Sequence, residues 1–272
     1  MTEIVMQWWL AYLGVGIFVG FFAGLLGIGG GTLLVPLMVF LFTAQDFSSE
    51  RILHLAIGTS LASIIFTSLS SIRAHHARRA ILWPTVRQSA GYLVAGTFLG
   101  SFFAESLTPS VLAGLFVIFA VYASAQLILD FKPKPTRSLP KRVGMGIGSG
   151  AVGIISSFVG IGGGVITIPL MVMHNVPMRN AIGTSAALGF PIALAGGLGY
   201  VWNGLGNSHL PPFSFGYVYL PALIGIVIGT FITVPIGAKV AHSIPVSRLK
   251  RIFAIILMFL AIDMFINIFL TK

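Results

Sequence analysis

Two short strings hold the residue types best suited to binding chemistry. GIGGGTLLVPL runs from Gly27 to Leu37, and GIGGGVITIPL runs from Gly160 to Leu170. Each is followed by the same pentapeptide, AIGTS, at Ala56–Ser60 and Ala181–Ser185. Consecutive glycines break a helix and leave backbone amides uncovered by side chains. The amides of Gly29, Gly30, Gly31 and Thr32 precede a short apolar segment, as do those of Gly162, Gly163, Gly164 and Val165. Bare amides at a helix N-terminus form its positive end and attract anions. Thr59, Ser60, Thr184 and Ser185 add hydroxyls that can donate to the same anion or bond the carbonyls of their own helix. No histidine or carboxylate pair accompanies them, so acid–base and hydrolytic chemistry has no evident agent.

Glycines also serve close helix packing, where one face uses every fourth residue. Gly16, Gly20 and Gly24 keep that spacing, as do Gly96 with Gly100 and Gly225 with Gly229; these are read as packing positions. The runs of three glycines exceed what one face needs and are read as binding backbone. His75 and His76 stand among Arg73, Arg78 and Arg79 without HxxxH or HExxH spacing, which reads as a solvated loop rather than a metal site.

The elements that must position these groups follow from composition. The chain has 272 residues, 56% hydrophobic and 8% charged, with a mean hydropathy of +0.99. A soluble domain is about 25% charged, so the chain is read as an all-α integral membrane protein with several apolar spans. The alternation of a β-barrel is absent. The net charge of +10 is concentrated in short loops, which the positive-inside rule explains without nucleic acid. The absence of cysteine excludes disulfides, thiol redox chemistry and Cys-ligated metals. MTEIVMQWWL has no Lys or Arg before its apolar run, a poor signal-peptide start, so the first helix is expected to be retained.

The chain divides into a first transmembrane repeat at 6–130, a basic linker at 131–142 and a second repeat at 143–272. Full spans are expected at 52–72, 82–104, 110–129, 181–202, 217–238 and 252–270, with a broken GIGGG hairpin opening each half. Together these make about 8–10 helical membrane segments. The short arm of the first hairpin, about 11 residues, covers only about 16 Å, roughly half the hydrocarbon core. Equivalent loops carry opposite charge bias. RAHHARRA (residues 73–80) is basic, whereas its counterpart NGLGNSHLPPFSFG has no Lys or Arg; ESLTP has one acid, whereas its counterpart at 239–251 is basic. Because Lys and Arg stay cytoplasmic, the repeats are expected to be inverted, with both termini extracytoplasmic. Asp263, inside the last span, is a candidate for binding a coupling proton, since charges at that depth tend to be functional. Arg87, near the cytoplasmic end of its span, is a candidate for attracting anions.

The doubled GxGGG-x-x-x-x-P-L string, each copy followed by AIGTS, resembles the TauE/SafE family of sulfite exporters over about residues 10–270. That resemblance implies a permease, and an exporter, for sulfur oxyanions or organosulfonates such as sulfite or sulfoacetate. The combined expectation is an alternating-access carrier in the cell membrane, with the anion bound at the repeat interface. The rival readings are an anion channel with the same backbone site and a non-transporting membrane enzyme or sensor. No Walker A string is present, so no intrinsic ATPase is expected. The expected partners are the small anion and the lipid bilayer, with no nucleic acid, cofactor or metal; a homo-oligomer is compatible with the sequence.

Overall fold

A computed structural model of the chain describes residues 2–26, 30–129, 142–240 and 246–269. Among the described residues there are ten helices: α1 (Thr2–Leu26), α2 (Gly31–Thr43), α3 (Ile52–Ala77), α4 (Trp83–Ser106), α5 (Pro109–Ile128), α6 (Arg142–Val159), α7 (Gly164–Met173), α8 (Met178–Gly204), α9 (Leu220–Val240) and α10 (Val246–Phe269). Five of them, α1, α3, α5, α8 and α9, are long and apolar enough to cross a bilayer. Large apolar side chains such as Leu99, Ile118, Ile232 and Phe259 remain exposed, as the lipid-facing positions of a multi-pass bundle must be.

The breaks form where left-handed backbone is needed. Gly30 (φ 69°) and Gly163 (φ 75°) take that conformation immediately before α2 and α7, at little steric cost for glycine alone. The arms that follow have 13 and 10 residues, about 20 and 15 Å of rise. Pro36 and Pro169 occur within them. The expected linker at 131–142 lies, except for Arg142, outside the described residues, and so does Gly29.

The four-residue glycine rows do pack helices. Successive positions Gly16, Gly20 and Gly24 of α1 meet Ile226, Thr230 and Val234 of α9. Gly96 and Gly100 of α4 meet Gly150 and Ile154 of α6. In both pairs the contacts advance in the same direction along the two helices, so each pair runs parallel. α3 and α8 cross between them in opposite directions, with Gly58 against Tyr200 and Gly196 against Leu61.

Two groups of loops mark opposite ends of the bundle. At one end Arg51 Nη1 donates to Glu105 Oε1 (3.1 Å) and Tyr217 OH (3.0 Å), and Asn207 Nδ2 donates to Tyr217 OH (3.2 Å). At the other, the Arg179 guanidinium donates to the carbonyl of Arg78 and Asn180 Nδ2 to that of Ala80.

Three local expectations are corrected. His75 and His76 fall in the last turn of α3, not in a loop. Trp83 Nε1 donates to His76 Nδ1 across the turn. Residues 246–251, expected as loop, begin α10, since Arg and Lys are good helix formers. The stretch before α9 contains a small antiparallel hairpin, β1 (Ser214–Phe215) with β2 (Val218–Tyr219), so α9 starts at Leu220 rather than at 217. The hairpin turns at Gly216 (φ 54°).

A methyl group on Gly24 would overlap the carbonyl of Val234, whereas nothing lies within 4 Å of one on Gly14. Gly24→Ala is therefore expected to destabilise the protein by about 1–3 kcal/mol, and Gly14→Ala to leave it unchanged or slightly more stable. Thermal unfolding in detergent measures both.

Candidate functional site

In the second glycine run backbone is released from helix bonding. α6 ends as the amides of Gly160 (2.9 Å) and Ile161 (3.3 Å) both donate to the carbonyl of Ser156. α7 begins as Ile166 and Thr167 donate to the carbonyl of Gly163. Between these closures the amides of Gly162, Gly163, Gly164 and Val165 donate to no acceptor among the described residues. They are the orphan donors that every helix start leaves.

The first run packs directly on the second. A Cβ on Gly31 would lie 2.7 Å from the carbonyl oxygen of Gly160 and 3.1 Å from Cα of Ile161. Ser60 Oγ, on α3, donates to that same carbonyl at 2.8 Å. The breaks of the two halves thus meet, and a serine from the first half satisfies the backbone of the second. Thr32 Oγ1, at the start of α2, is buried and has no partner.

Beside the second break lies a small cleft of about 20 Å³. Gly162 and Gly164 form its floor, with Ser185 and Gly189 of α8 on one wall and Thr67, Ser68 and Ser71 of α3 on another. Ala23, Ile64 and Ala186 supply apolar surface. No charged side chain lines it among the described residues. Ile64, Thr67, Ser68 and Ser71 share one face of α3 by helical spacing. This stripe leads from the buried centre to half-exposed Ser71, two residues before Arg73.

The hydroxyls there are linked. Thr167 Oγ1 lies 3.0 Å from the carbonyl of Gly163 and 2.7 Å from Ser185 Oγ. Each hydroxyl has one proton. With Thr167 bonded to Gly163, Ser185 donates to Thr167. If Thr167 turns its proton to Ser185, the Ser185 proton is free for a guest in the cleft. The arrangement can therefore present amide and hydroxyl donors to a negative group without any cation.

The expected site residues separate accordingly. Gly162, Gly164 and Ser185 line the cleft, with Gly163 and Val165 adjoining it in the chain. Gly30, Gly31, Thr32 and Ser60 are buried at the junction of the breaks. Thr59 and Thr184 do something else: each accepts from the backbone N–H preceding a helix of the opposite half. Thr59 Oγ1 takes that of Tyr219 (3.0 Å) and Thr184 Oγ1 that of Leu82 (2.9 Å). Asp263 is half-buried on α10 and Arg87 is exposed near the start of α4; neither lines the cleft. Among the described residues no cluster of His, Asp and Glu suits a metal ion.

The sequence reading passed over two sets of residues. Thr67, Ser68 and Ser71 were legible as hydroxyls at helical spacing inside an apolar span, and Thr167 as a hydroxyl inside a short arm. The second set is the network of Arg51, His54, Glu105 and Tyr217, drawn together from α3, α4 and the hairpin before α9. Burial and its bond to Glu105 push the Tyr217 phenol up to about 12, so it stays protonated and donates to Glu105 Oε1 at 2.9 Å.

The family described as Sulfite exporter TauE/SafE matches residues 12–264. A Haemophilus influenzae relative described as "Probable membrane transporter protein" is 36% identical over 255 residues, covering 93% of this chain and 96% of its own. A Bacillus subtilis "Probable membrane transporter protein YdhB" is 30% identical, covering 85% and 89%. A Methanocaldococcus jannaschii "Probable membrane transporter protein MJ0441" is 28% identical, covering 89% and 90%. No solved structure matches. An all-α, multi-pass bundle matched over nearly its whole length in this way is a membrane transporter, and the chain belongs to the TauE/SafE sulfite exporter family.

Proposed function

We propose that the protein is a carrier for a small anion, a sulfur oxyanion or organosulfonate such as sulfite or sulfoacetate, bound at the second glycine break. One observation carries this reading: the four unbonded amides of Gly162–Val165 and the Ser185 hydroxyl adjoin a cleft that no charged side chain enters among the described residues. Amides at a helix start favour negative charge, and irregular backbone at membrane depth is tolerated where it lines a cavity. Broken helices of this kind are used by transporters built from inverted repeats.

In this proposal the two halves are inverted repeats, and the site lies at their interface. The pairing of α1 with α9 and of α4 with α6, and the reciprocal bonds of Thr59 and Thr184, support it. The end carrying Arg78 and Arg179 is cytoplasmic by the positive-inside rule. The hydroxyl stripe of α3 leads to that end, while Arg51, Glu105 and Tyr217 close the other. The form described here is thus inward-facing, and alternation would open the opposite end for export across the cell membrane. Both termini are placed on the extracytoplasmic side.

Cysteine labelling tests the orientation, and the chain has no cysteine of its own. Single cysteines at positions 76 and 209 should react from opposite sides of the membrane; reaction from the same side sinks the inverted arrangement.

The site is tested with Gly162→Ala and Ser185→Ala. A Cβ on Gly162 would make only ordinary contacts, 3.4 Å to Ile64 and 3.6 Å to Gly189, so the variant should fold. Its methyl intrudes beside the amides. Each variant is expected to weaken anion binding about tenfold, equivalent to about 1.4 kcal/mol. Thermal stabilisation by sulfite, sulfoacetate, thiosulfate and sulfate reports binding, because a ligand of the folded state raises its stability. Unchanged affinity in both variants defeats the site. Counterflow in proteoliposomes identifies a carrier, and anion flux without counterflow identifies a channel.

A further inference from the structure

His54 lies on α3, three residues after Arg51, and is 1% exposed. Its Nε2 is 3.1 Å from the carbonyl oxygen of Ala104, an acceptor only, so Nε2 carries the hydrogen of the neutral ring. Nδ1 then holds a lone pair, and it is buried without a partner. The neighbouring carboxylate is half-used in the same way. Glu105 Oε1 accepts from Arg51 and Tyr217, whereas Oε2 is shielded from solvent, has no hydrogen-bond partner and stands 3.9 Å from His54 Nε2. Two buried acceptors within one cluster lack a donor. Leaving such atoms unsatisfied is costly; a proton on Nδ1 would use its lone pair and set a positive ring 3.9 Å from the unpaired Oε2.

We propose that His54 and Glu105 form a proton-binding site whose occupancy controls closure of the outer end. A proton from the outer solution binds Nδ1 and makes the ring an imidazolium beside Oε2. In the unprotonated form the carboxylate balances one cation, Arg51. In the protonated form it lies between two and divides its attraction between them. That loosens its hold on Arg51 and Tyr217. Tyr217 belongs to the hairpin side of the contact, and Arg51 and Glu105 to α3 and α4, so this is the tie between the two halves at that end. The other titratable rings facing His54 are Tyr217 and Tyr200, with ring centroids 5.2 and 6.5 Å away. α2 has no ionisable side chain, and α5 has only Tyr122, which is exposed. The role of the proton in opening rests on the carrier reading; the existence of the site does not.

Two measurements test it. In proteoliposomes, uptake of labelled methanesulfonate, whose charge is constant over the range used, is compared at acidic and neutral outer pH. The wild type should show a ratio different from unity, and His54→Gln, which keeps a donor for Ala104, should flatten it. In ¹⁵N-histidine NMR, one resonance absent from His54→Gln should titrate, and Glu105→Gln should move its midpoint while leaving those of His75, His76 and His209 in place. A wild-type pH ratio retained in His54→Gln overturns the proposal. So does a His54 resonance that does not titrate or that ignores Glu105→Gln. If the wild type fails to transport the probe, the carrier reading is damaged and the NMR titration alone decides the proton site.

Discussion

A peptide group in hydrocarbon must find a partner, and the architecture here is organised around that requirement. An N–H or C=O left bare at membrane depth costs several kcal/mol. Two breaks at depth would be untenable if lipid reached them. Instead Gly31 rests on the carbonyl of Gly160, and Ser60 donates to it. The amides left over, Gly162 to Val165, adjoin the cleft rather than the bilayer. These four amides are therefore enclosed by protein.

The absence of charge in the cleft bears on how such a site would release its guest. A fixed guanidinium or ammonium binds an anion through a full charge in a low dielectric, which is strong and hard to reverse. Amides and hydroxyls bind through partial charges and can exchange partners, and Thr167 Oγ1 stands within reach of both the Gly163 carbonyl and Ser185 Oγ. The arginines stand at the end of the bundle, where they can raise the local anion concentration without holding the anion.

Much of the fold was legible in the sequence because its signals are local. Apolar runs separated by short loops locate the helices to within a few residues, and the doubled GIGGG and AIGTS strings fall at the starts of α2 and α7 and within α3 and α8. Helix packing by glycines at four-residue spacing was equally plain. The missing parts are those that depend on long-range partners. Thr59 and Ser60 are neighbours with the same chemistry, yet one accepts from Tyr219 and the other donates to Gly160. Nothing in AIGTS distinguishes them, because the distinction lies in what faces each side of α3. His54 escaped notice for the same reason: a lone histidine in an apolar run carries no motif until Glu105 is brought to it. The extension of α3 through His75 and His76 falls in a basic sequence that reads as solvated.

The reciprocal hydroxyl bonds also bear on how the chain is assembled. The N–H of Leu82, at the start of α4, is met by Thr184, 102 residues later, and that of Tyr219 by Thr59, 160 residues earlier. When α4 leaves the ribosome, its cap does not yet exist. α9, by contrast, emerges to find Thr59 already in place. Biogenesis is therefore asymmetric: Thr184 is made after the Leu82 N–H that it caps, and Thr59 before that of Tyr219. Neither half contains all the donors and acceptors that its own backbone needs, so separately expressed halves would have to complement each other to complete either one.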